Sequence, residues 1–175
     1  MTTTSRQAEA VKPEAAQPAN SLRPEISLPG AVLFACTHNM IRSPIAEGLM
    51  KSRFKSRVFV DSCGITAGTA DGFVITVMAE RGIDMQGHVP KSFDDLDDDF
   101  IDLIICFSEE SYEIAKQRSR WAACRVEYWP VYDASLASGN RDARLDAYRR
   151  VRDTIDDLIR QHFPIAAETG DQQKP

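Results

Sequence analysis

Short apolar runs alternate with amphipathic stretches through the middle of this chain. Ala31 to Cys36 (AVLFAC) is apolar without a break, the pattern of a strand buried on both faces of a parallel sheet. Polar residues follow, then SPIAEGLMKSRF (43–54). There Pro44 suits the first turn of a helix, and Ile45, Leu49 and Met50 fall on one face. RVFVDSC (57–63) predicts a second strand. Asp71 is placed to cap a helix that carries Val74, Val77 and Met78 on one side, and Gly82 is placed to end it. IDLIICF (101–107) predicts a third strand. The helix after it opens with Glu109 and Glu110 and closes with Lys116, Arg118 and Arg120, a polarity that complements the helix dipole. CRVEYWPV (124–131) alternates polar and apolar positions, as an edge strand does. The last helix runs from about Asp142 to His162, with Leu145, Tyr148, Ile155 and Leu158 inward and Pro164 beyond its end.

Four strands with helices between them imply an α/β fold: a parallel sheet joined by right-handed crossovers and covered by helices as a three-layer sandwich. Ligands in such sheets bind beyond the carboxyl ends of the strands, and Cys36 stands at one of those ends. Residues 1–28 are rich in Ala, Pro, Thr, Glu and Gln and poor in large apolar groups, so a disordered N-terminal tail is expected. Residues 166–175 have the same character and are expected to form a flexible C-terminal tail. One domain, 29–165, remains between them. There is no internal repeat.

The formal charge of -5 and pI near 5.2 argue against a dedicated binder of nucleic acid or anionic membrane. No stretch is long and apolar enough to cross a bilayer. The first residues lack the apolar centre of a secretory signal, so a cytoplasmic location is expected. Cys36, Cys63, Cys106 and Cys124 lie far apart, a spacing that suits thiols better than a disulfide frame or a zinc site. Neither a metal nor a cofactor is expected, and the oligomeric state is left open.

The chemistry concentrates in Cys36-Thr37-His38-Asn39-Met40-Ile41-Arg42-Ser43, a Cys-x5-Arg-Ser run between the first strand and the first helix. A short loop there can curl so that its N–H groups form an anion nest, to which the helix N-terminus adds its own dipole. Asn39 tolerates the left-handed backbone that such a curl needs. Arg42 has the planar fork that grips two phosphate oxygens. The same field favours the thiolate of Cys36, the nucleophilic form, and Ser43 is positioned to donate to the sulfur. A buried core cysteine is the alternative for Cys36 in isolation; the company of Asn39, Arg42, Ser43 and Pro44 favours the nucleophile.

LFACTHNMIRSPIAEGL resembles the active-site signature of low-molecular-weight protein tyrosine phosphatases and their arsenate-reductase relatives. The similarity continues through VDSCGIT, GIDMQGH, IDLIICF and WPVYDA, covering about residues 30–163. The resemblance implies a four-stranded sheet in the order 2-1-3-4. It also implies hydrolysis of a phosphomonoester, with protein phosphotyrosine as the default substrate, through a phosphocysteine intermediate on Cys36. Thr37, His38, Asn39, Met40, Ile41 and Ser43 would form the phosphate-binding loop, with Arg42 as its clamp. Asp133 matches the family's general acid, and Ser62 and His88 match the polar network that holds the loop. The expected partner is a phosphorylated protein or small phosphomonoester. Simple turn or strand-end roles are the alternatives for Asp133, Ser62 and His88.

Departures from the family pattern keep other activities open. Ala134 stands where the family has Pro after the acid, and Ile41 stands where many members carry a second loop cysteine. The residues after Asp133 and after Cys63 are small or polar, offering an aryl ring little stacking surface. Thr37-His38-Asn39 is as close to the arsenate-reductase branch as to the phosphatases. Thiol-dependent arsenate reduction on the same loop is therefore the second reading, although FSEESYEIAKQ (107–117) has none of the resolving cysteines that thioredoxin-coupled members keep there. A non-catalytic phosphate sensor is the third. The acidic run Asp94–Asp99 reads as a solvated loop, Trp121, Trp129 and Phe100 as packing, and Cys106 as core.

Overall fold

A computed structural model describes residues 28–96, 101–119 and 124–165. Residues 1–27 of the expected N-terminal tail, the C-terminal tail, and the expectations placed on Phe100, Arg120 and Trp121 lie outside the described residues, as do Asp97–Asp99 of the acidic run, whereas Leu28, assigned to the tail, packs against the main core.

Four strands, β1 (Ala31–Cys36), β2 (Phe59–Gly64), β3 (Leu103–Cys106) and β4 (Arg125–Tyr128), form one parallel sheet in the order β2-β1-β3-β4. This is the order expected. All six residues of β1 are buried, which is why the strand reads as an unbroken apolar run: both of its faces pack. β4 is half-exposed along its length, as an edge strand should be.

The helices are α1 (Arg42–Phe54), α2 (Gly72–Ala79), α3 (Glu109–Ser119) and α4 (Arg141–His162). Val32, Phe34 and Cys36 face a core completed by α1, α2 and α4, including Ile45, Met50, Val77, Tyr148 and Ile155. Leu33 and Ala35 face the other way, into a smaller core with Cys106, Phe93 and Ala115 of α3. This alternation gives three layers. Each fully buried large apolar side chain contributes about 1.5–3 kcal/mol of transfer free energy.

Element ends shift by one to three residues from the sequence reading, for local reasons. Lys55–Arg57 close α1 with a 3₁₀ turn, and Lys55, at φ 51, donates its N–H to Lys51 O; β2 therefore begins at Phe59 rather than at 57. β4 ends at Tyr128 rather than 131: Trp129 still donates its N–H to the Cys106 carbonyl at 2.9 Å, but Pro130 has no N–H with which to continue the ladder. Asp71 caps α2 as expected, accepting from the N–H groups of Phe73 and Val74. Asn140, not anticipated, caps α4 through Ala143 N. Phe93–Asp95 are a 3₁₀ turn capped by Ser92, so the start of the acidic run is ordered rather than a plain loop.

The sheet order reverses between β1 and β3, so a crevice opens beyond their carboxyl ends. Cys36 ends β1, and Phe107 follows β3 directly.

Candidate active site

The loop from Cys36 to Arg42 is strapped from outside by the segment after β2. Ile65, Thr66 and Gly68 donate their N–H groups to the carbonyls of Cys36, Thr37 and His38 at 3.1, 3.1 and 2.9 Å. A planar peptide sets each following N–H opposite its carbonyl, so the N–H groups of Thr37 and His38 turn away from the strap. His38 Nδ1 adds a 2.9 Å contact to Thr66 Oγ1. Gly64 lets this segment come close: a Cβ there would lie 2.7 Å from Asn39 N and 2.5 Å from Thr66 O.

Asn39 turns the loop at φ 53, in the left-handed region. Its buried amide then serves three partners: Nδ2 donates to Ser43 Oγ at 3.0 Å and to Ser62 Oγ at 2.8 Å, and Oδ1 accepts from Lys91 N at 2.9 Å. His88 Nε2 lies 3.3 Å from Asn39 O. Ser43 Oγ is 3.0 Å from Cys36 Sγ and 3.1 Å from the Cys63 carbonyl. A hydroxyl has one proton. Ser43 therefore donates either to the Cys63 carbonyl, with a Cys36 thiol donating to Ser43, or to a Cys36 thiolate.

The network extends to Glu47, which the sequence reading missed. Ser62 Oγ donates to Glu47 Oε2 at 2.5 Å, Lys51 Nζ sits 2.5 Å from Oε1, and His88 Nδ1 lies 3.7 Å from Oε2. The signal was present: Ser43 and Glu47 are four apart in α1 and share a face, the one turned to Ser62.

Arg42 opens α1 and is buried. Its Nη1 donates to the Phe107 carbonyl at 3.0 Å, with the Val131 carbonyl at 3.4 Å. Its Nη2 pairs with Asp133 Oδ2 at 2.7 Å and approaches Thr37 Oγ1 at 3.5 Å. The guanidinium expected to grip a phosphate is thus held by a carboxylate from the segment before α4. Asp133 also caps a 3₁₀ turn over Ala134–Leu136, accepting from Ser135 N at 3.0 Å. This cap keeps Asp133 in place without the proline that Ala134 replaces.

Cys36, His38, Met40, Ile41, Arg42, Asp133 and Ser135 line one cavity of about 30 Å³. Among the described residues, no phenyl, phenol or indole ring belongs to its walls. Met40 closes one side against Gly68, where a Cβ would meet its sulfur at 2.4 Å. A larger hollow of about 490 Å³, bounded by Glu47, Lys51 and His88, lies elsewhere and does not reach Cys36. The structure thus brings all the loop residues, Ser62, His88 and Asp133 to one place.

A cysteine, an arginine and a carboxylic acid around a strand-to-helix anion loop define the cysteine-dependent phosphate-handling enzymes of the α/β class. The family model for low molecular weight phosphotyrosine protein phosphatase matches residues 31–173, and the chain belongs to that family. A glutaredoxin arsenate reductase of a Synechocystis species is 26% identical over 129 residues, covering 73% of this chain and 92% of the relative. The protein-arginine-phosphatase of Bacillus subtilis is 26% identical over 141 residues, covering 74% and 92%. A solved arsenate reductase in its phosphate-binding state superposes with a TM-score of 0.60 at 25% identity, covering 75% of this chain and 94% of that one.

Proposed function

We propose that this chain hydrolyses phosphomonoesters through a phosphocysteine on Cys36, with protein phosphotyrosine as the substrate class that its family membership favours. The observation that carries the reading is that Cys36, Arg42 and Asp133 line one cavity, at the end of a loop whose network reaches Ser43 and the sulfur. In the first step Cys36 Sγ attacks phosphorus, an S–P bond forms, and the bond to the leaving oxygen breaks. Asp133 gives that oxygen its proton. In the second step water attacks phosphorus and gives its proton to Asp133, the S–P bond breaks, and Ser43 stabilises the departing thiolate. The loop amides and Arg42 stabilise the charge on the equatorial oxygens throughout. An arriving substrate competes with Asp133 for Arg42 Nη2, and the displaced carboxylate takes up a proton from water before passing it to the leaving oxygen.

The alternative is arsenate reduction on the same loop, favoured by the arsenate reductases among the relatives. A route through internal resolving cysteines has little support. Cys63 and Cys106 are fully buried, and burial pushes the Cys106 thiol up to about 12. Cys124 precedes β4, at the amino end of the parallel sheet, whereas Cys36 ends β1 at the carboxyl end. An external thiol such as glutathione would bypass this obstacle.

The test is p-nitrophenyl phosphate turnover, with arsenate-dependent glutathione consumption measured in parallel. The expected result is phosphate release that Cys36→Ser abolishes. Arsenate-dependent thiol consumption with no ester hydrolysis would establish the alternative.

A further inference from the structure

Far from Cys36, three arginines from three elements line one hollow of about 350 Å³. Arg53 comes from α1, Arg81 from the turn after α2, and Arg160 from the last turn of α4. Arg160 is paired with Asp156 at 2.9 Å, and Arg81 with Asp153 at 2.9 Å. Arg53 has no carboxylate partner among the described residues; its guanidinium lies 5.6 Å from the Phe54 ring, and its Nε is buried without an acceptor. Asp156 faces Arg160 and Asp153 faces Arg81, so among the described residues Arg53 is the lining cation with no carboxylate opposite it.

Basic residues in the last turn of a helix are favoured by the dipole, and Arg53 and Arg160 both occupy last turns. That account covers Arg160, whose charge is also matched. It does not account for the unmet donor of Arg53, because a side chain serving the helix end would bond one of the terminal carbonyls, and Nε bonds none. Arg144 Nε is buried and unpartnered in the same way, so the donor alone does not name a ligand; what sets Arg53 apart is that it opens on a hollow shared with two further arginines. The hollow is several times larger than a bare phosphate, and Leu49, Ile83 and Ile165 supply apolar wall.

We propose that this hollow is a second oxyanion site, separate from the Cys36 loop, that takes a phosphate or similar oxyanion carried on an apolar body. Arg53 and Arg160 hold the oxyanion, and the body rests on Leu49, Ile83 and Ile165. The reading does not depend on what Cys36 does.

Phenylphosphonate, which has no ester bond to hydrolyse, is the probe, titrated calorimetrically against the full chain. The expected stoichiometry is two per chain, falling to one in Arg53→Met and to one in Arg42→Met, by loss of different sites. Arg53→Met keeps an apolar stem over Phe54 and should leave p-nitrophenyl phosphate turnover within about twofold of the parent. Arg160→Gln serves as the second variant and should weaken the same site at least tenfold. One phosphonate per chain in the parent, or two in Arg53→Met, overturns the proposal. Orthophosphate binding the second site as tightly as phenylphosphonate overturns the part assigned to the apolar wall.

Discussion

Arg42 Nη2 lies 2.7 Å from Asp133 Oδ2, across the cavity that also holds Cys36. The two residues are 91 positions apart and only the fold joins them. The guanidinium is nearly enclosed, with 8% of its side chain exposed, whereas the carboxylate keeps 27%. The pair therefore opens from the Asp133 side, and an oxyanion entering the cavity competes directly with that carboxylate.

Replacing the carboxylate should separate binding from turnover. Asp133→Asn removes the competitor for Arg42, and the pair belongs to the partly screened class worth on the order of 1 kcal/mol. Competitive inhibition by orthophosphate should therefore tighten by roughly 3–10-fold. Turnover of p-nitrophenyl phosphate should fall by about 10²–10⁴-fold, the usual share of a general acid. Inhibition that weakens, or turnover that is unchanged, removes Asp133 from the roles given to it.

Asn39 joins a strained backbone to a fully used amide. Asn39→Ala loses the bonds to Ser43, Ser62 and Lys91 and keeps φ 53 with a Cβ. A destabilisation of about 2–4 kcal/mol is expected. Asn39→Gly loses the same bonds but accepts the dihedral, so it should be less destabilised by roughly 1 kcal/mol. Urea midpoints of the two variants measure the difference; equal midpoints would show that the left-handed residue carries no strain.

Gly64 tests the strap. A Cβ at this position meets backbone at 2.5 Å and 2.7 Å on both the strap and the loop, and backbone cannot swing aside as a flexible side chain would. Gly64→Ala should therefore lose most activity and cost about 2–4 kcal/mol, in the range of severe overpacking. Gly72→Ala, where a Cβ meets nothing within 4 Å, is the matched control and should be near neutral. A Gly64→Ala protein with parent activity would show that the loop is not held from this side.

Much of this arrangement was legible before the fold was known, and what was missed has a common cause. The unbroken apolar run of β1 and the Cys-x5-Arg-Ser spacing after it located the loop, because burial on both faces and a strand-to-helix turn leave direct marks on residue type. Ser62 and His88 came from resemblance, since nothing in their own neighbourhoods distinguishes a network member from a turn residue. Glu47 was overlooked because a glutamate on a helix reads as solvent-facing, and only packing against β2 encloses it. The Phe107 and Val131 carbonyls and the Lys91 N–H were invisible for a stricter reason: a backbone group has no identity in a sequence. The hollow beside Arg53 escaped notice because its residues come from three separate segments.

Glu80 should make stability depend on pH at the acid end. Hydrogen bonding to Arg149, with Arg152 adding to it, lowers its pKa from 4.5 to about 2. The folded-state value is depressed, so the stabilisation is fully present above about pH 4.5 and is lost as the pH falls towards 2. In Glu80→Gln, Arg152 keeps Asp153 and the Val77 carbonyl but loses its bond to Glu80. The variant should melt below the parent at neutral pH, and the gap in Tm should narrow steadily between pH 5 and pH 3, on the order set by those two values. A gap that is constant across that interval would mean that the ion pairs of Glu80 add nothing net.

Cys36, Cys63 and Cys106 should differ sharply towards an alkylating agent, and the pattern bears on both proposed chemistries. Cys36 lines the cavity beside Arg42 and has Ser43 Oγ at 3.0 Å. Cys106 lies in the smaller core, where burial holds its thiol in the protonated, unreactive form, and Cys63 is equally enclosed. Iodoacetamide at neutral pH should therefore modify Cys36, which lines a cavity, ahead of Cys63 and Cys106, and millimolar orthophosphate should slow that step by roughly tenfold or more, as a ligand in the same cavity must. Cys63 and Cys106 should be modified only when the chain is unfolded. Peptide mapping by mass spectrometry reads each site separately. Rapid native-state labelling of Cys63 or Cys106 would open the internal resolving route that their burial now opposes and would move the balance towards arsenate reduction. Labelling of Cys36 that ignores orthophosphate would break the link between nucleophile and anion loop on which hydrolysis depends.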